Sequence, residues 1–143
     1  MPLRSDLSID RLQERLRIGL PALLGLQLVD LAEGSLRMRV PIEPRLLAPN
    51  GYLHAASVIA LADTACGFAC IAHLPAGADN FTTIELKTNF LGTATSGTLL
   101  AQARSLHIGR TTQVWDATVS HVETGRSIAE FRCTQMVLWP KAA

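Results

Sequence analysis

The first part of the chain carries apolar residues at helical spacing. They recur three or four positions apart, and they are Ile9, Leu12, Leu16 and Leu20. Ser8 comes just before this stripe and is suited to cap a helix, because its hydroxyl can accept a hydrogen bond from a first-turn amide. The pattern predicts a short amphipathic helix that begins after Ser8 and ends near Pro21.

Most of the remaining chain alternates between apolar and polar residues, which is typical of half-buried strands. Residues 36–40 show this alternation after Gly34. Turn sequences around Gly97, Gly109 and Gly125 separate three longer strands, roughly residues 98–108, 111–122 and 127–139. Because short turns join strands that run in opposite directions, we expect these three to be antiparallel neighbours.

A further strand is predicted over residues 82–90, with one apolar and one polar face. The apolar face would carry Ile84, Leu86 and Phe90. The opposite face would carry Thr83, Glu85, Lys87 and Asn89. Thr83 would then point away from the apolar residues of its own strand, towards an interface.

Residues 55–74 differ from the rest because they are apolar on every side. Their length is sufficient for a membrane span, so that alternative has to be weighed. Asp63 lies near the centre, however, and an aspartate there costs about 2.5–3.5 kcal/mol on insertion. We therefore expect a helix that is buried by its own domain and ends near residues 74–77. The predicted fold class is α+β, with one long central helix against a curled antiparallel sheet and a short N-terminal helix.

The composition fits one folded domain across residues 1–143. Hydrophobic residues make up 48% and charged residues 17%, which excludes a disordered chain. Thirteen basic and twelve acidic residues leave a net charge of +1, so nucleic acid and membrane surfaces are not expected partners. Three cysteines argue against a disulfide framework, and no histidine pair completes a metal-ligand spacing. The first residues lack an apolar signal core, so we expect a cytoplasmic protein.

Asp63 is the strongest candidate for chemistry. An ionisable group in apolar surroundings costs free energy unless it is paired or used, and perturbed carboxylates cluster at functional sites. The residues on its face of the helix, namely Ile59, Cys66 and Gly67, cannot neutralise it. The structural alternative is a carboxylate that finds a partner across a subunit interface.

The start of the same helix offers a second candidate. His54 precedes the helix, and a histidine in that place is more often a cap or a packing residue than a catalyst. The amide of Ala55 lies in the first turn, where N–H groups lack helical partners and carry the positive end of the helix dipole. Such an amide is a donor for a developing oxyanion.

These residues fall in a recognisable arrangement. The run NGYLHAA at residues 50–56, followed by LADTA at 61–65, resembles the signature of hotdog-fold acyl-CoA thioesterases, specifically their phenylacetate-degradation (PaaI-like) branch. In that branch a G-x-x-H-G-G loop precedes a helix that carries L-x-D. The segments TIELKTNFL at 83–91 and GRTTQV at 109–114 are similar to later parts of the same family.

The resemblance implies a sheet wrapped around a long helix, dimers with sites at the subunit interface, and pairing of dimers into tetramers. It implies that Asp63 is the catalytic carboxylate, that the Ala55 amide binds the thioester oxygen and that Thr83 helps to position the attacking water. His54 is grouped with these three as a residue of the catalytic loop. The expected substrate-binding residues are Asn50, Gly51, Ala56, Gly109 and Arg110.

The chain departs from the family pattern at three positions. Ala55 and Ala56 replace the two glycines that follow the histidine, and alanine adopts positive φ less readily than glycine. Ala48 lies where the family usually has asparagine or glutamine, and Asn50 is a candidate substitute two residues later.

Arg110 is either a solvated turn residue or a contact to coenzyme A phosphates, which arginine suits by its bidentate geometry.

The sequence therefore predicts an acyl-CoA thioesterase that works as a homodimer or a dimer of dimers, with coenzyme A entering as part of the substrate and no separate cofactor. Asp63 would act as general base or as nucleophile. One alternative is a dehydratase of 3-hydroxyacyl thioesters, although its proline-rich histidine motif is absent. Another is a protein on the same scaffold that binds acyl-CoA without turnover.

Overall fold

A computed structural model describes residues 2–141. The helices in this range are α1 (Ile9–Arg15), α2 (Gly19–Leu24) and α3 (Ala55–Ala72), and a 3₁₀ turn covers Pro44–Leu46. The strands are β1 (Gln27–Ala32), β2 (Ser35–Pro41), β3 (Asn80–Phe90), β4 (Thr98–Ile108), β5 (Thr112–His121) and β6 (Ser127–Leu138). The three long strands at the end of the chain therefore lie where the turn sequences predicted them.

The strands form one curved antiparallel sheet in the order β1-β2-β4-β5-β6-β3. Helix α3 packs against every strand from β2 to β6, so the sheet wraps around the helix. Strands β1 and β3 are the two edges, and each has a neighbouring strand on one side within this chain. The predicted fold, a long central helix inside an antiparallel sheet, is confirmed.

Small residues allow the sheet to approach α3 closely. A Cβ atom on Gly67 would lie 2.8 Å from the ring of Phe81 on β3, so a larger residue at this position would push the strand away. Ala62, Ala65 and Ala69 are fully buried against the sheet. By length and composition α3 is apolar enough to span a membrane, but half of it is buried inside this fold. It is the core helix of the domain.

The N-terminal helix is shorter than predicted. It begins after Ser8, whose Oγ accepts a hydrogen bond from the Arg11 amide at 3.3 Å, but it ends at Arg15. A second helix, α2, begins at Gly19. Because Gly19 has a φ of +67°, α1 and α2 are not one continuous helix. Pro21 lies in the first turn of α2, where backbone N–H groups have no partner within the helix. Its lack of an N–H therefore costs no helical hydrogen bond. The prediction that Pro21 ends the helix was therefore wrong.

Breaking the helix also divides the predicted apolar stripe. Leu12 and Leu16 are buried in the core, whereas Ile9 is 41% exposed and Leu20 is 57% exposed. Strand β1, which the alternation analysis did not predict, follows directly. A register shift between Leu28 and Asp30 disturbs its two-residue period, so the sequence pattern of the strand is weak.

For the same reason the predicted faces of β3 were wrong at Thr83, although the alternation from Glu85 onwards is as predicted. A bulge lies between Thr83 and Glu85, where β3 has one more residue than β6 opposite it. Thr83 pairs with Gln135 and Leu86 pairs with Cys133, and both of these β6 residues are fully buried towards the helix. Thr83 therefore shares the inner face with Leu86, rather than the outer face with Glu85.

Candidate active site

The loop that leads into α3 is held in a tight turn. The Ala48 amide donates to the Tyr52 carbonyl oxygen at 2.7 Å, and Asn50 Oδ1 accepts from the Tyr52 amide at 3.2 Å. Gly51 has φ +84°, a conformation that favours glycine. Asn50 thus supports the turn through its side-chain oxygen, and both Asn50 and Gly51 are exposed.

His54 caps the first turn of α3. Its Nδ1 accepts a hydrogen bond from the Ala56 amide at 2.9 Å, while its own amide donates to the Leu46 carbonyl oxygen at 3.0 Å. Because a backbone N–H can only donate, Nδ1 carries no proton in this arrangement, and the proton of the neutral ring is on Nε2. The ring is exposed, so Nε2–H is a donor that faces solvent.

The Ala55 amide is different from its neighbour. The Ala56 amide is bonded to His54, whereas the Ala55 amide has no acceptor within residues 2–141. Both alanines are exposed and helical, and across the same residues no position other than glycine has positive φ. The replacement of two glycines by alanines therefore leaves the backbone conformation and the free amide intact.

Asp63 lies near the middle of α3, where it is half-buried and its carboxylate faces Thr83 on β3. Thr83 Oγ1 lies 3.4 Å from Asp63 Oδ1, so two residues that the sequence predicted for the site meet in one chain. Burial raises the pKa of the Asp63 carboxyl above its ordinary value, and the hydrogen bond from Thr83 opposes this only in part. The carboxylate is partly desolvated and has no cationic partner in this contact.

Gln135 contacts the candidate site through Thr83, and the sequence analysis did not single it out. Its Oε1 lies 2.9 Å from Thr83 Oγ1, and its Nε2 lies 3.2 Å from Cys133 Sγ. A hydroxyl has one hydrogen, so Thr83 can donate to Gln135 or to Asp63 but not to both at once. The sequence did carry a signal for it, because the two-residue alternation along β6 places Gln135 on the inward face of the strand. Gln135 is fully buried there, and a buried polar side chain needs a partner.

The cysteines are not nucleophiles in this arrangement. Cys66, Cys70 and Cys133 are free thiols and all three are buried. The hydrogen bond with Cys133 and burial raise the pKa of the Cys66 thiol, and burial raises the pKa of Cys70 to about 12. A protonated thiol is a poor nucleophile, so Cys66 and Cys70 act as small apolar residues. Within residues 2–141, no group of three or more His, Cys, Asp or Glu residues could hold a metal ion.

The turn between β4 and β5 carries the last two predicted residues. A Cβ on Gly109 would lie 2.8 Å from the Thr112 carbonyl oxygen, so the turn requires glycine for its close approach. The guanidinium of Arg110 stacks over the ring of Trp139, 4.7 Å from its centroid. The Trp139 ring in turn lies beside Gly77, which follows the C-terminal end of α3.

Within a single chain the predicted site residues lie at three separate places along α3. The loop and the Ala55 amide lie at the start of α3, Asp63 and Thr83 lie near its middle, and Arg110 lies beyond its end. Eight residues of α-helix separate Ala55 from Asp63, which is about 12 Å along the axis. A reacting carbonyl has to be within hydrogen-bond reach of its oxyanion donor and close to the attacking group. A single chain does not meet both conditions with these two residues.

The same residues occur within a known sequence family. A family model described as the thioesterase superfamily matches residues 50–128, which include every predicted site residue. ComA2 of Bacillus subtilis is 34% identical over 123 residues, which cover 80% of this chain and 90% of ComA2. The 1,4-dihydroxy-2-naphthoyl-CoA hydrolase of Listeria monocytogenes is 27% identical over 117 residues, covering 82% of this chain and 94% of that enzyme.

Solved structures confirm the architecture. A mutant of thioesterase PA1618 from Pseudomonas aeruginosa has a TM-score of 0.89 at 28% identity, covering 96% of this chain and 99% of the other. Thioesterase HI1161 from Haemophilus influenzae has the same TM-score at 24% identity, covering 96% and 95% of the two chains. The second likeness concerns the fold alone.

Proposed function

Because this chain belongs to the thioesterase superfamily and is a thioester hydrolase, we propose that it hydrolyses acyl-CoA thioesters to a carboxylic acid and free coenzyme A. The observation that carries the proposal is the combination of a half-buried carboxyl, Asp63, with the unpartnered amide of Ala55 on the same helix. The relative named as a naphthoyl-CoA hydrolase supports coenzyme A as the thiol part of the substrate.

In the proposed mechanism, the Ala55 N–H donates to the thioester oxygen as negative charge develops there. The α3 dipole adds to this stabilisation, because α3 is 18 residues long and Ala55 is its first residue. His54 fixes the geometry of this turn through its bond to Ala56. Asp63 activates a water as general base or attacks the carbonyl as nucleophile, and in both cases it acts in its ionised form.

Thr83 is proposed to position the attacking group. Its hydroxyl can donate to the ionised Asp63 carboxylate, while its oxygen can accept a hydrogen bond from a water. Gln135 Oε1, 2.9 Å from Thr83 Oγ1 on the buried side, is the alternative acceptor for the same hydrogen. The Thr83 hydroxyl therefore has two acceptors to choose between, and Gln135 adds no charge to the site.

The working site is proposed to lie between two copies of the chain, with Ala55 from one subunit and Asp63 from the other. The separation of about 12 Å between the two residues along one helix supports a composite site. Edge strand β3 supports the pairing, because Ile84, Leu86 and Phe90 on it are 55%, 41% and 46% exposed. An apolar edge strand is a ready surface for association. Association of two dimers into a tetramer is a further part of the proposal.

Coenzyme A is proposed to contact Arg110. Its guanidinium is exposed and is held over Trp139, which presents it to solvent in a fixed position. Arginine binds phosphate groups through two parallel hydrogen bonds. The cytoplasmic location and the PaaI-like branch stay predictions.

The proposed activity is tested by following the release of free thiol from a panel of short, long and aromatic acyl-CoA thioesters. We expect turnover of at least one class, and complete inactivity across the panel would reject the proposal. An enoyl-CoA hydration assay tests the dehydratase alternative. Tight binding without turnover, unaltered by Asp63→Ala, would instead support the acyl-CoA-binding alternative.

The composite site is tested separately by light scattering at micromolar concentration. We expect a mass of two or four chains. A catalytically active monomer would reject the division of the site between subunits, because one chain would then have to supply both the amide and the carboxylate.

A further inference from the structure

An apolar cleft lies between α2 and the first turns of α3, and we refer to it as the α2–α3 cleft. Its volume is about 260 Å³. The apolar residues that line it are Leu20, Leu24, Leu47, Ala56 and Ala60. Arg45 is the charged residue of the lining. The site described above does not account for this cleft.

The cleft lies beside the first turn of α3, which carries the Ala55 amide, although Ala55 itself is not one of the lining residues. His54, Ala56 and Ser57, which flank Ala55 in sequence, all line it. A carbonyl oxygen that is hydrogen-bonded to the Ala55 N–H would therefore place its substituents at the mouth of the cleft. We propose that the α2–α3 cleft binds the acyl group of the substrate and that Leu20 and Ala60 determine its size. This inference rests on the proposed function.

The charge distribution favours an uncharged acyl group. Arg45 Nε already forms an ion pair with Glu43 Oε2 at 2.9 Å. A substrate carboxylate in the cleft would lose hydrating water, which costs free energy unless a cation compensates for it. Arg45 does not offer an unpaired cation, because the Arg45–Glu43 pair is neutral as a unit. The remaining lining is alanine and leucine with one serine and His54. Aliphatic or aromatic acyl groups without charge are therefore the expected substrate class.

The dimensions favour the acyl part of the substrate over the whole molecule. Pockets that enclose a complete small ligand usually have roughly 300–1,000 Å³. The cleft is smaller, so coenzyme A would remain outside it. Ala56 and Ala60 lie one helical turn apart and leave the space open on the α3 side. On the α2 side, Leu20 is 57% exposed and would gain an apolar contact when an acyl group enters.

Two leucines of α2 provide a matched pair of variants. Leu20 lines the cleft, whereas Leu23 does not, and Leu23 is 64% exposed. Leu20→Ala is expected to lower kcat/KM for octanoyl-CoA, relative to acetyl-CoA, by about tenfold, since methylene contacts in a pocket discriminate to this extent. Leu23→Ala is expected to leave that ratio unchanged. Equal ratios in the two variants would overturn the assignment.

A second variant tests the size limit from the opposite side. Ala60→Phe would fill the cleft and is expected to lower the octanoyl-to-acetyl ratio of kcat/KM by tenfold or more, with circular dichroism confirming the helical content.

A charged substrate tests the second part of the inference, the preference for uncharged acyl groups. Wild-type protein is expected to hydrolyse butyryl-CoA at least tenfold better than succinyl-CoA, and equal rates would overturn the preference for uncharged groups.

The inference and the proposed function can fail separately. If the wild-type protein releases no thiol from any acyl-CoA, the proposed hydrolysis fails, and calorimetric binding of octanoyl-CoA then replaces turnover as the readout. Weaker binding by Leu20→Ala than by Leu23→Ala would still support the cleft. Hydrolysis with unchanged chain-length preference in both Leu20→Ala and Ala60→Phe would reject the cleft and retain the function.

Discussion

The two ends of helix α3 each carry a histidine, and the two histidines are in opposite situations. His54 caps the N-terminus with an exposed ring, and the amide next to it has no partner in residues 2–141. His73 follows the C-terminus and is fully buried. One end of the helix presents unsatisfied donors to solvent, and the other end encloses its polar groups completely.

The buried end is a closed hydrogen-bond network. His73 Nε2 accepts from the Gly34 amide at 2.9 Å, so the proton of the neutral ring lies on Nδ1, which donates to the Ala69 carbonyl oxygen at 2.7 Å. Gln113 Nε2 donates to the His73 carbonyl oxygen, and Gln113 Oε1 accepts from Trp115 Nε1. The network connects α3 to the turn between β1 and β2 and to β5.

The difference separates the polar groups of α3 that can still bind a ligand from those that are already used within the fold. The polar groups around His73 are satisfied within the fold, so they have no capacity left for a ligand. The Ala55 amide at the open end has that capacity, together with the positive end of the helix dipole. Asp63 lies between the two ends, half-buried and weakly hydrogen-bonded. Substitutions along α3 should therefore separate effects on rate from effects on stability.

The largest expected effect is the loss of activity in Asp63→Asn. The amide is nearly isosteric but cannot accept a proton from water or attack a thioester, so kcat should fall by roughly 10²- to 10⁴-fold or more. Asp79→Asn, the same change at an exposed carboxylate outside the site, is the control and should retain kcat. Thiol release measures both, and near-wild-type kcat in folded Asp63→Asn would assign the chemistry to another residue.

Asp63→Asn should also melt at a higher temperature. Burial raises the pKa of Asp63, so the ionised form destabilises the fold, and this penalty appears as pH rises from the unfolded value of about 3.9 through the folded pKa. For the same reason the acidic limb of the wild-type kcat/KM profile should lie above the ordinary aspartate pKa. A lower melting temperature in the variant at neutral pH would contradict this sign.

The next effect should fall on stability, at the closed end. His73→Phe keeps a ring in the core but leaves the Gly34 amide and the Ala69 carbonyl without their partner. Each buried group left unsatisfied costs about 1–3 kcal/mol, so the loss of both partners should lower the free energy of unfolding by roughly 2–6 kcal/mol. Urea unfolding measures the loss, and kcat of the folded variant should be retained. A large loss of kcat with unchanged stability would reverse the roles of the two ends.

The pH dependence provides a control for this assignment. Burial lowers the pKa of His73, although the bond to Ala69 opposes the shift. The neutral ring is favoured in the fold, so its contribution to stability is complete above the unfolded pKa of about 6.5 and is lost as pH falls from there towards the folded pKa. Wild-type protein should therefore lose more stability than His73→Phe between pH 7.5 and 5.5. Parallel losses would assign the titration to other groups.

A smaller effect is expected at the open end. His54→Ala removes the bond to the Ala56 amide and should lower the free energy of unfolding by about 0.5–2 kcal/mol, whereas His54→Asn should restore it because asparagine is a good N-cap. We expect His54→Asn also to restore kcat, since the proposed role of the ring is to fix the turn that holds Ala55. If His54→Asn recovers stability but not kcat, the exposed Nε2–H takes part in the reaction directly.

The smallest effect is expected at Arg110, which lies beyond the closed end of α3. Arg110→Ala should raise KM for acyl-CoA by about three- to tenfold with little change in kcat, because it would remove binding that ground state and transition state share. Arg126, which also follows a turn glycine, is the matched control and should show no change as Arg126→Ala. An unchanged KM in Arg110→Ala would leave Arg110 as a turn residue stacked on Trp139.

Local patterns in the sequence were sufficient for most of the fold, and they supplied the residues on which the proposed site rests. Alternation and turn glycines predicted β4 to β6, and the unbroken apolar run predicted α3. Asp63 stood out because a carboxylate in an apolar helix is costly, and the motif around His54 identified the first turn. All of these signals come from residues that are close together in the chain.

The tertiary structure decided the features that depend on distant residues. The bulge at Thr83 turned that side chain towards Asp63, and it exists because β3 pairs with β6, 52 residues away at Gln135. The burial of His73 depends on Gly34, 39 residues earlier. Periodicity describes one element at a time, so it cannot show which polar side chains will meet across the core. Those contacts are set by how the sheet closes around the helix, because a buried polar group is stable only where the fold supplies its partner.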